Sequence, residues 1–258
     1  MAWKRLPRRL SHGEEASLVE HLGELRSRLI IALLALGLAF GVAFAFHEHI
    51  IEALLRPLPE DKQLVTLGVT EPFFTAVKVS LYAAFSVALP VILYQLWSFL
   101  APAMEEHAQR IVSIFVLFAT ALFAGGLAFG YFVVLPRALT FLTNFDEDLY
   151  NDQLRANYYF SFVSLALVGM ALVFEMPIFI LTLVRLRVLT AERLRRNRRL
   201  GIFLVVVVAV LLPTVDPVSL AFEVVPMLLL FEFSILLASF MEKRWERAYD
   251  EDWATGEL

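Results

Sequence analysis

The chain has 258 residues, of which 59% are hydrophobic, with no cysteine and a formal net charge of −4. An average soluble domain is about 45–50% apolar. The excess lies in long uncharged stretches, which is typical of a polytopic membrane protein. Without cysteine, the chain has no disulfide, thiol nucleophile or cysteine-based metal site.

Six apolar runs follow one another along the chain. In order, they are Leu29–Phe46, Val79–Met104, Ile111–Pro136, Ala156–Val184, Leu200–Val215 and Pro217–Met241. Most reach or approach the ~20 residues that a helix needs to cross a bilayer. The fifth run is short, and a tight turn joins it to the sixth, so we expect a short two-helix hairpin. A long polar stretch separates the first run from the basic N-terminus, so we expect a retained span and no cleaved signal peptide.

Basic residues are distributed unevenly between the loops. Six lie within residues 1–28 and seven within residues 185–199, whereas the loops after the first and third runs carry few. Cytoplasmic loops are enriched in Lys and Arg. We therefore predict an all-α protein of six transmembrane helices with both termini in the cytoplasm. It would form one membrane domain: a tail to residue 28, a bundle over 29–241 and a tail over 242–258.

Three local patterns predict how the elements pack. The pentapeptide GLAFG occurs at Gly37–Gly41 and again at Gly126–Gly130, and small residues four apart allow helices in lipid to approach closely. Residues His47–Glu60 space their apolar side chains as one helical face, which predicts an interfacial helix on the outer surface. Lys78 flanks the second run, where a lysine can extend to the interface as an anchor.

One carboxylate interrupts the fourth run. Glu175 lies near its centre, and a charged group at mid-bilayer costs about 2.5–3.5 kcal/mol on insertion scales. Pro177, two residues later, lacks a backbone donor and bends the helix. A bent helix with an inward carboxyl favours a cavity or groove, with a protonated glutamate bonded to a neighbouring helix as the alternative. No G-x-S-x-G, H-E-x-x-H or phosphate-binding loop occurs, so we expect no enzyme, no cofactor and no metal site.

Several segments resemble the TatC family, the receptor subunit of the twin-arginine protein translocase. They are EHLGELRSRL (Glu20–Leu29), EPFFTAVKVSLYAAFSVALPVILYQLWSFLAPAM (Glu71–Met104), FGYFVVLPRAL (Phe129–Leu139) and YFSFVSLALVGMALVFEMPIFI (Tyr159–Ile180). The resemblance extends from Ser17 to about Met241. It implies a concave, glove-like bundle with short fifth and sixth helices in the inner cell membrane.

The resemblance also implies a function. TatC proteins bind twin-arginine signal peptides and act with the small single-span proteins TatA and TatB in a multimeric complex. Folded proteins then cross the membrane at the expense of the proton-motive force. No nucleic acid is implied as a partner.

The resemblance assigns individual residues. Glu24 matches the carboxylate that receives the arginine pair, and Glu175 matches the intramembrane carboxylate. Phe99 and Pro102 match the end of the second span. We expect Gln95 and Phe99 to lie along the intramembrane groove with Glu175, and Pro177 to have a structural role. Loop residues of the family correspond to Pro57 and Asp216.

The chain departs from the family pattern after the second span. The second glutamate of the family's arginine receptor aligns with Ala108, while Glu105 and Glu106 lie just before it. Either glutamate could replace the missing carboxylate. Alternatively, this loop has lost the role and Glu24 acts with Glu20.

The spacing of Glu20 and Glu24 has a physical rationale. Like charges four residues apart on a helix repel, and an arriving pair of arginines relieves that repulsion. Arginine also matches a carboxylate with two parallel hydrogen bonds, which lysine cannot do. The simpler interpretation is that Glu24 pairs with Arg28. A competing function, a proton-coupled small-molecule transporter, uses Glu175 as its titrating group but leaves the Glu20/Glu24 pair unexplained.

Overall fold

The computed structural model describes residues 18–59, 62–100, 108–145, 153–213 and 217–255. Within these ranges the side chains are described at 21–59, 62–99, 113–145, 153–213 and 217–242. Pro102, Glu105, Glu106 and Asp216 lie outside the described residues, and so does the side chain of Glu20.

The described chain is almost entirely helical. Its helices are α1 (Leu18–Ala45), α2 (His47–Leu55), α3 (Glu71–Leu100), α4 (Ala108–Phe129), α5 (Leu135–Asn144), α6 (Ala156–Phe174), α7 (Met176–Arg185), α8 (Ala191–Arg196), α9 (Arg198–Leu211) and α10 (Pro217–Thr255). One π-helical turn, Gly130–Val134, joins α4 to α5. Two short strands, β1 (Leu64–Val65) and β2 (Leu154–Arg155), pair in parallel, and the sequence pattern did not predict them.

Five stretches of the described helices are long and apolar enough to cross a membrane. They are His21–Ala45, Glu71–Phe99, Ser113–Asn144, Ala156–Arg185 and Pro217–Glu242. The fifth predicted run is also helical, but α9 has only 14 residues. At 1.5 Å per residue it is about 21 Å long, against a hydrocarbon core of about 30 Å. The count of six spans and their orientation therefore remain predictions.

The third span is longer than the sequence pattern indicated. We expected its run to end at Pro136, but the helix continues through α5 to Asn144. The π-helical turn lies directly before this proline. Such turns relax the hydrogen-bond ladder, which lets a chain pass a proline and remain helical.

The core is built around α6. This helix packs against α3 and α4, and many of its side chains are buried, among them Val163 and Ala171. One apolar cluster joins α2, α5 and the first half of α6, and another joins α7, α9 and α10 around Met227. In contrast, α1 packs mainly against α3. The bundle therefore has a buried central helix and a peripheral first helix.

Helix α2 forms as predicted, and Leu54 on its apolar face is buried against the bundle. Its position in the membrane interface remains a prediction. The hydroxyls of Tyr131 and Tyr159 donate to the carbonyls of Ala53 and Leu54, at 2.7 and 2.8 Å. These carbonyls belong to the last turn of α2, where carbonyl groups have no hydrogen-bond donors within the helix. The two tyrosines thus fasten α2 to the bundle.

Candidate functional site

An ion pair occupies the first turns of α1. Arg28 donates to Oε1 of Glu24 from Nε, at 2.9 Å, and from Nη2, at 2.5 Å. About a quarter of the Glu24 side chain is exposed. Among the described residues, no hydrogen bond reaches Oε2 of Glu24. The predicted pairing of Glu24 with Arg28 is present, and Oε2 of Glu24 has no hydrogen-bond donor in the described part of the chain.

An aromatic contact joins α1 to α3 next to this ion pair. The ring of His21, one helical turn before Glu24, stacks on Phe99 with ring centroids 4.4 Å apart. Residues three and four apart share a helix face, so His21, Glu24 and Arg28 lie along one stripe of α1. The structure therefore brings two of the predicted site residues, Glu24 and Phe99, to the same end of the bundle.

The second candidate feature is the break between α6 and α7. The N–H of Glu175 bonds to the carbonyl of Leu172 at 3.1 Å, a tighter turn than in an α-helix. Pro177 is buried in the first turn of α7, where its missing N–H costs little. The predicted interruption of this span is confirmed.

The carboxyl of Glu175 lies partly buried at this break. Its Oε1 is buried and has no hydrogen-bond partner among the described residues. The alternative in which this oxygen bonds to a neighbouring helix is therefore not supported by the described contacts. An unpaired buried polar atom is costly, and such atoms are typical of positions that receive a partner.

No described hydrogen bond joins the remaining predicted residues to the carboxyl of Glu175. Gln95 is partly buried on α3. Phe99 contacts His21 at the first turns of α1. Pro57 is partly buried in the turn that follows α2. The grouping of Gln95 and Phe99 with Glu175 in one groove remains a prediction.

Sequence reasoning missed a polar cluster that joins α3 to α6. Glu71 is buried and accepts from Nε of Arg155 at 2.9 Å and from the N–H groups of Leu67 and Asn157 at 3.0 and 3.2 Å. The hydrogen bond to Glu71 raises the pKa of the Arg155 guanidinium above its usual value. The partners are 84 residues apart, so no local pattern could have revealed them.

Lys78, expected to be an interfacial anchor, belongs to the same cluster. Its Nζ donates to the side-chain oxygen of Asn157 at 2.8 Å. The lysine therefore links α3 to the start of α6. In the described part of the chain, no group of three His, Asp or Glu side chains is arranged to hold a metal ion.

This arrangement defines a class of protein: a polytopic helical membrane protein. It has a partly exposed glutamate, Glu24, at one end of the bundle and a second glutamate, Glu175, at the break within a span. Comparison with known proteins then identifies the family. The family described as Sec-independent protein translocase protein (TatC) matches residues 20–226. The chain therefore belongs to the TatC family and is a non-enzymatic component of the Sec-independent protein translocase.

Individual relatives agree with this assignment over nearly their whole lengths. The chain is 39% identical to TatC of Aquifex aeolicus, covering 88% of this chain and 96% of the relative. It is 36% identical to TatCd of Bacillus subtilis, covering 90% and 95%. A crystal structure described as the twin arginine translocase receptor TatC in DDM superposes with a TM-score of 0.76 at 38% identity, covering 84% of this chain and 99% of that one.

Proposed function

We propose that this chain binds twin-arginine signal peptides at the cytoplasmic face of the inner cell membrane. With TatA-type and TatB-type single-span partners, it would mediate export of folded proteins driven by the proton-motive force. The observation that carries this proposal is the state of Glu24. Its carboxylate is partly exposed, is bonded through Oε1 alone among the residues that the structure describes, and lies beside the His21–Phe99 contact between α1 and α3.

The Glu24–Arg28 pair is easily exchanged for an incoming arginine. A pair at i and i+4 on a helix contributes only about 0.3–0.5 kcal/mol. A hydrogen bond to a charged group contributes about 1.5–3 kcal/mol, and a guanidinium can make two in parallel. A signal-peptide arginine can therefore bond to Oε2 or displace Arg28. Lysine offers no planar fork of donors, so the site would favour arginine.

A second carboxylate would complete the receptor for an arginine pair. Glu20 lies one turn before Glu24, and Glu105 and Glu106 follow the end of α3 in the sequence. We propose that one of these three residues receives the second arginine. Because Ala108 aligns with the family glutamate, single substitutions at the three positions would identify the replacement.

The apolar part of the signal peptide would extend from this end toward Glu175. The break between α6 and α7 interrupts a span at that carboxyl, and its Oε1 is without a described partner. We expect Glu175→Gln to preserve export better than Glu175→Lys, because glutamine keeps the shape and lysine brings a buried positive charge. Equal export by both variants would show that the carboxyl site has no role.

The direct test of the proposal is photocrosslinking of a twin-arginine peptide to membranes that contain the full chain. We expect Glu24→Gln to reduce crosslinking by about tenfold, which corresponds to roughly 1.4 kcal/mol. Glu192→Gln is the matched control, since Glu192 is an exposed glutamate on α8. A Lys-Lys peptide should crosslink weakly to the unmodified protein.

Two outcomes would contradict the proposal. One is unchanged crosslinking in the Glu24→Gln variant, and the other is equal capture of the Lys-Lys peptide. Arg28→Gln provides a further check. Removing the internal competitor should leave capture of the twin-arginine peptide intact or stronger, whereas a loss would mean that Arg28 itself holds the peptide.

A further inference from the structure

The loop and helix before α9 form a second charged surface, separate from the proposed peptide site. Residues 193–199 contain five arginines. Two of them are held by α10: Arg198 pairs with Glu232, and Nη2 of Arg195 donates to the hydroxyl of Ser239 at 2.9 Å. The other three, Arg193, Arg196 and Arg199, are exposed and form no ion pair among the described residues.

The surface is held in place by the fold. The N–H of Ala191 donates to Glu242 on α10 at 2.9 Å, and the hydroxyl of Thr190 accepts from the N–H of Arg193 at 3.2 Å. Ala191 is buried, and Leu194 packs against the cluster around Met227. The three exposed arginines therefore extend from an anchored corner between α8 and α9. We call them the arginine corner.

Exposed apolar side chains begin immediately after the arginine corner. Leu200, Phe203, Leu204 and Leu211 on α9 are all more than half exposed. For α9, about 21 Å long, to cross the membrane as predicted, the bilayer around it must thin or the flanking groups must reach toward it. Either adjustment brings lipid phosphates to the level of Arg196 and Arg199.

We propose that the arginine corner binds the headgroups of anionic phospholipids. An arginine fork matches a phosphate with two hydrogen bonds, and basic clusters beside a membrane helix favour anionic lipids. A phospholipid supplies a phosphate and then an acyl chain, the same order in which the protein presents its arginines and the apolar face of α9. An acidic peptide or a nucleic acid would match the arginines alone.

This binding goes beyond the orientation that positive loops impose. Orientation depends on the number of charges within a loop, so any three arginines would serve equally. The proposed binding depends on the three that make no described ion pair or hydrogen bond with α10. The inference does not rest on the proposed signal-peptide site.

The test uses the full chain, purified in mild detergent with equal amounts of phosphatidylglycerol and phosphatidylcholine of identical acyl chains. Native mass spectrometry then counts the bound lipids of each kind. We expect at least about threefold enrichment of phosphatidylglycerol. The combined variant Arg193→Gln, Arg196→Gln and Arg199→Gln should bind the two lipids about equally.

The matched control is the combined variant Arg5→Gln, Arg8→Gln and Arg9→Gln, which makes the same change in net charge. It should retain the enrichment, and loss of enrichment in this variant would contradict the proposal. Replacing the corner arginines by lysines keeps the charge and removes the planar fork of donors, so enrichment should fall but stay above unity. Unchanged enrichment in the glutamine variant of the corner would overturn the proposal.

Two competition experiments identify the bound chemistry. Millimolar glycerol phosphate should not displace bound phosphatidylglycerol, because it lacks the acyl chains that contact α9. Displacement by this soluble phosphate, or by a polyglutamate peptide at equal concentration, would overturn the assignment to a lipid.

Discussion

The two copies of GLAFG occupy opposite environments in the same molecule. A Cβ atom added at Gly126 would lie 2.7 Å from the Cα of Ala171 on α6, so this copy allows two helices to touch. A Cβ atom added at Gly37 or Gly41 would meet no atom within 4 Å outside its own helix. The prediction of close packing is confirmed for the second copy and is wrong for the first within this chain.

The same contrast holds for the helices that carry or contact these segments. In the span that contains α6, 61% of the most apolar window is buried, whereas in α1 the corresponding value is 6%. Leu33, Leu34 and Leu38 of α1 are exposed. Helix α6 therefore forms the centre of the bundle, and α1 lies at its periphery and packs mainly against α3. Glu24, near the start of α1, is accordingly partly exposed.

The largest effect that we predict is the difference in stability between substitutions at Gly126 and at Gly37. Gly126→Leu should destabilise the protein by about 3 kcal/mol, because its neighbour at 2.7 Å is backbone that cannot move aside. Thermal unfolding in detergent, followed by size-exclusion chromatography, would measure the loss. Gly37→Leu is the control and should change stability little. Equal destabilisation at both sites would mean that α1 packs against a further surface.

We expect a smaller loss of stability when either of the two ion pairs is removed. Glu71→Gln should lower the temperature of thermal unfolding by several degrees. The buried side chain loses the negative charge that attracts the guanidinium of Arg155 and the two backbone N–H groups. Glu24→Gln removes the local pair on α1 and should cost only about 0.3–0.5 kcal/mol. Unfolding of both variants in the same detergent gives the comparison, and a greater loss for Glu24→Gln would contradict it.

Among the buried contacts, the smallest effect concerns the tyrosine hydrogen bonds that fasten α2. Tyr159→Phe should destabilise the protein by about 1 kcal/mol, the net contribution of one hydrogen bond, because the carbonyl of Leu54 loses its donor. Tyr158→Phe is the neighbouring control, since the ring of Tyr158 contacts Arg155 through its face and phenylalanine keeps that face. Hydrogen exchange over residues 47–55 would show whether α2 loosens in the first variant alone.

Several features of the fold were predictable because their cause is local. Long apolar runs predict spans, and the proline two residues after Glu175 predicts the break between α6 and α7. The apolar spacing after residue 46 predicts α2. The Glu24–Arg28 pair follows from positions four apart on one helix. Each of these depends on residues within a few turns of one another.

Other features depend on residues that are distant in the chain. The hydrogen bonds of Glu71 to Arg155 and of Tyr159 to Leu54 join positions 84 and 105 residues apart. Such contacts are decided by packing, because no local pattern relates residues so far apart in the chain.

The amino-acid sequence by itself determined that this chain is a helical membrane protein, where its spans lie, and that its motifs resemble those of TatC. Hydrophobicity and helix periodicity suffice for this, since they act within single segments. Only the tertiary structure decided which glycine segment is packed, which arginines are held by α10, and how Glu71 reaches Arg155. Those properties depend on which faces meet, and identical pentapeptides meet different neighbours.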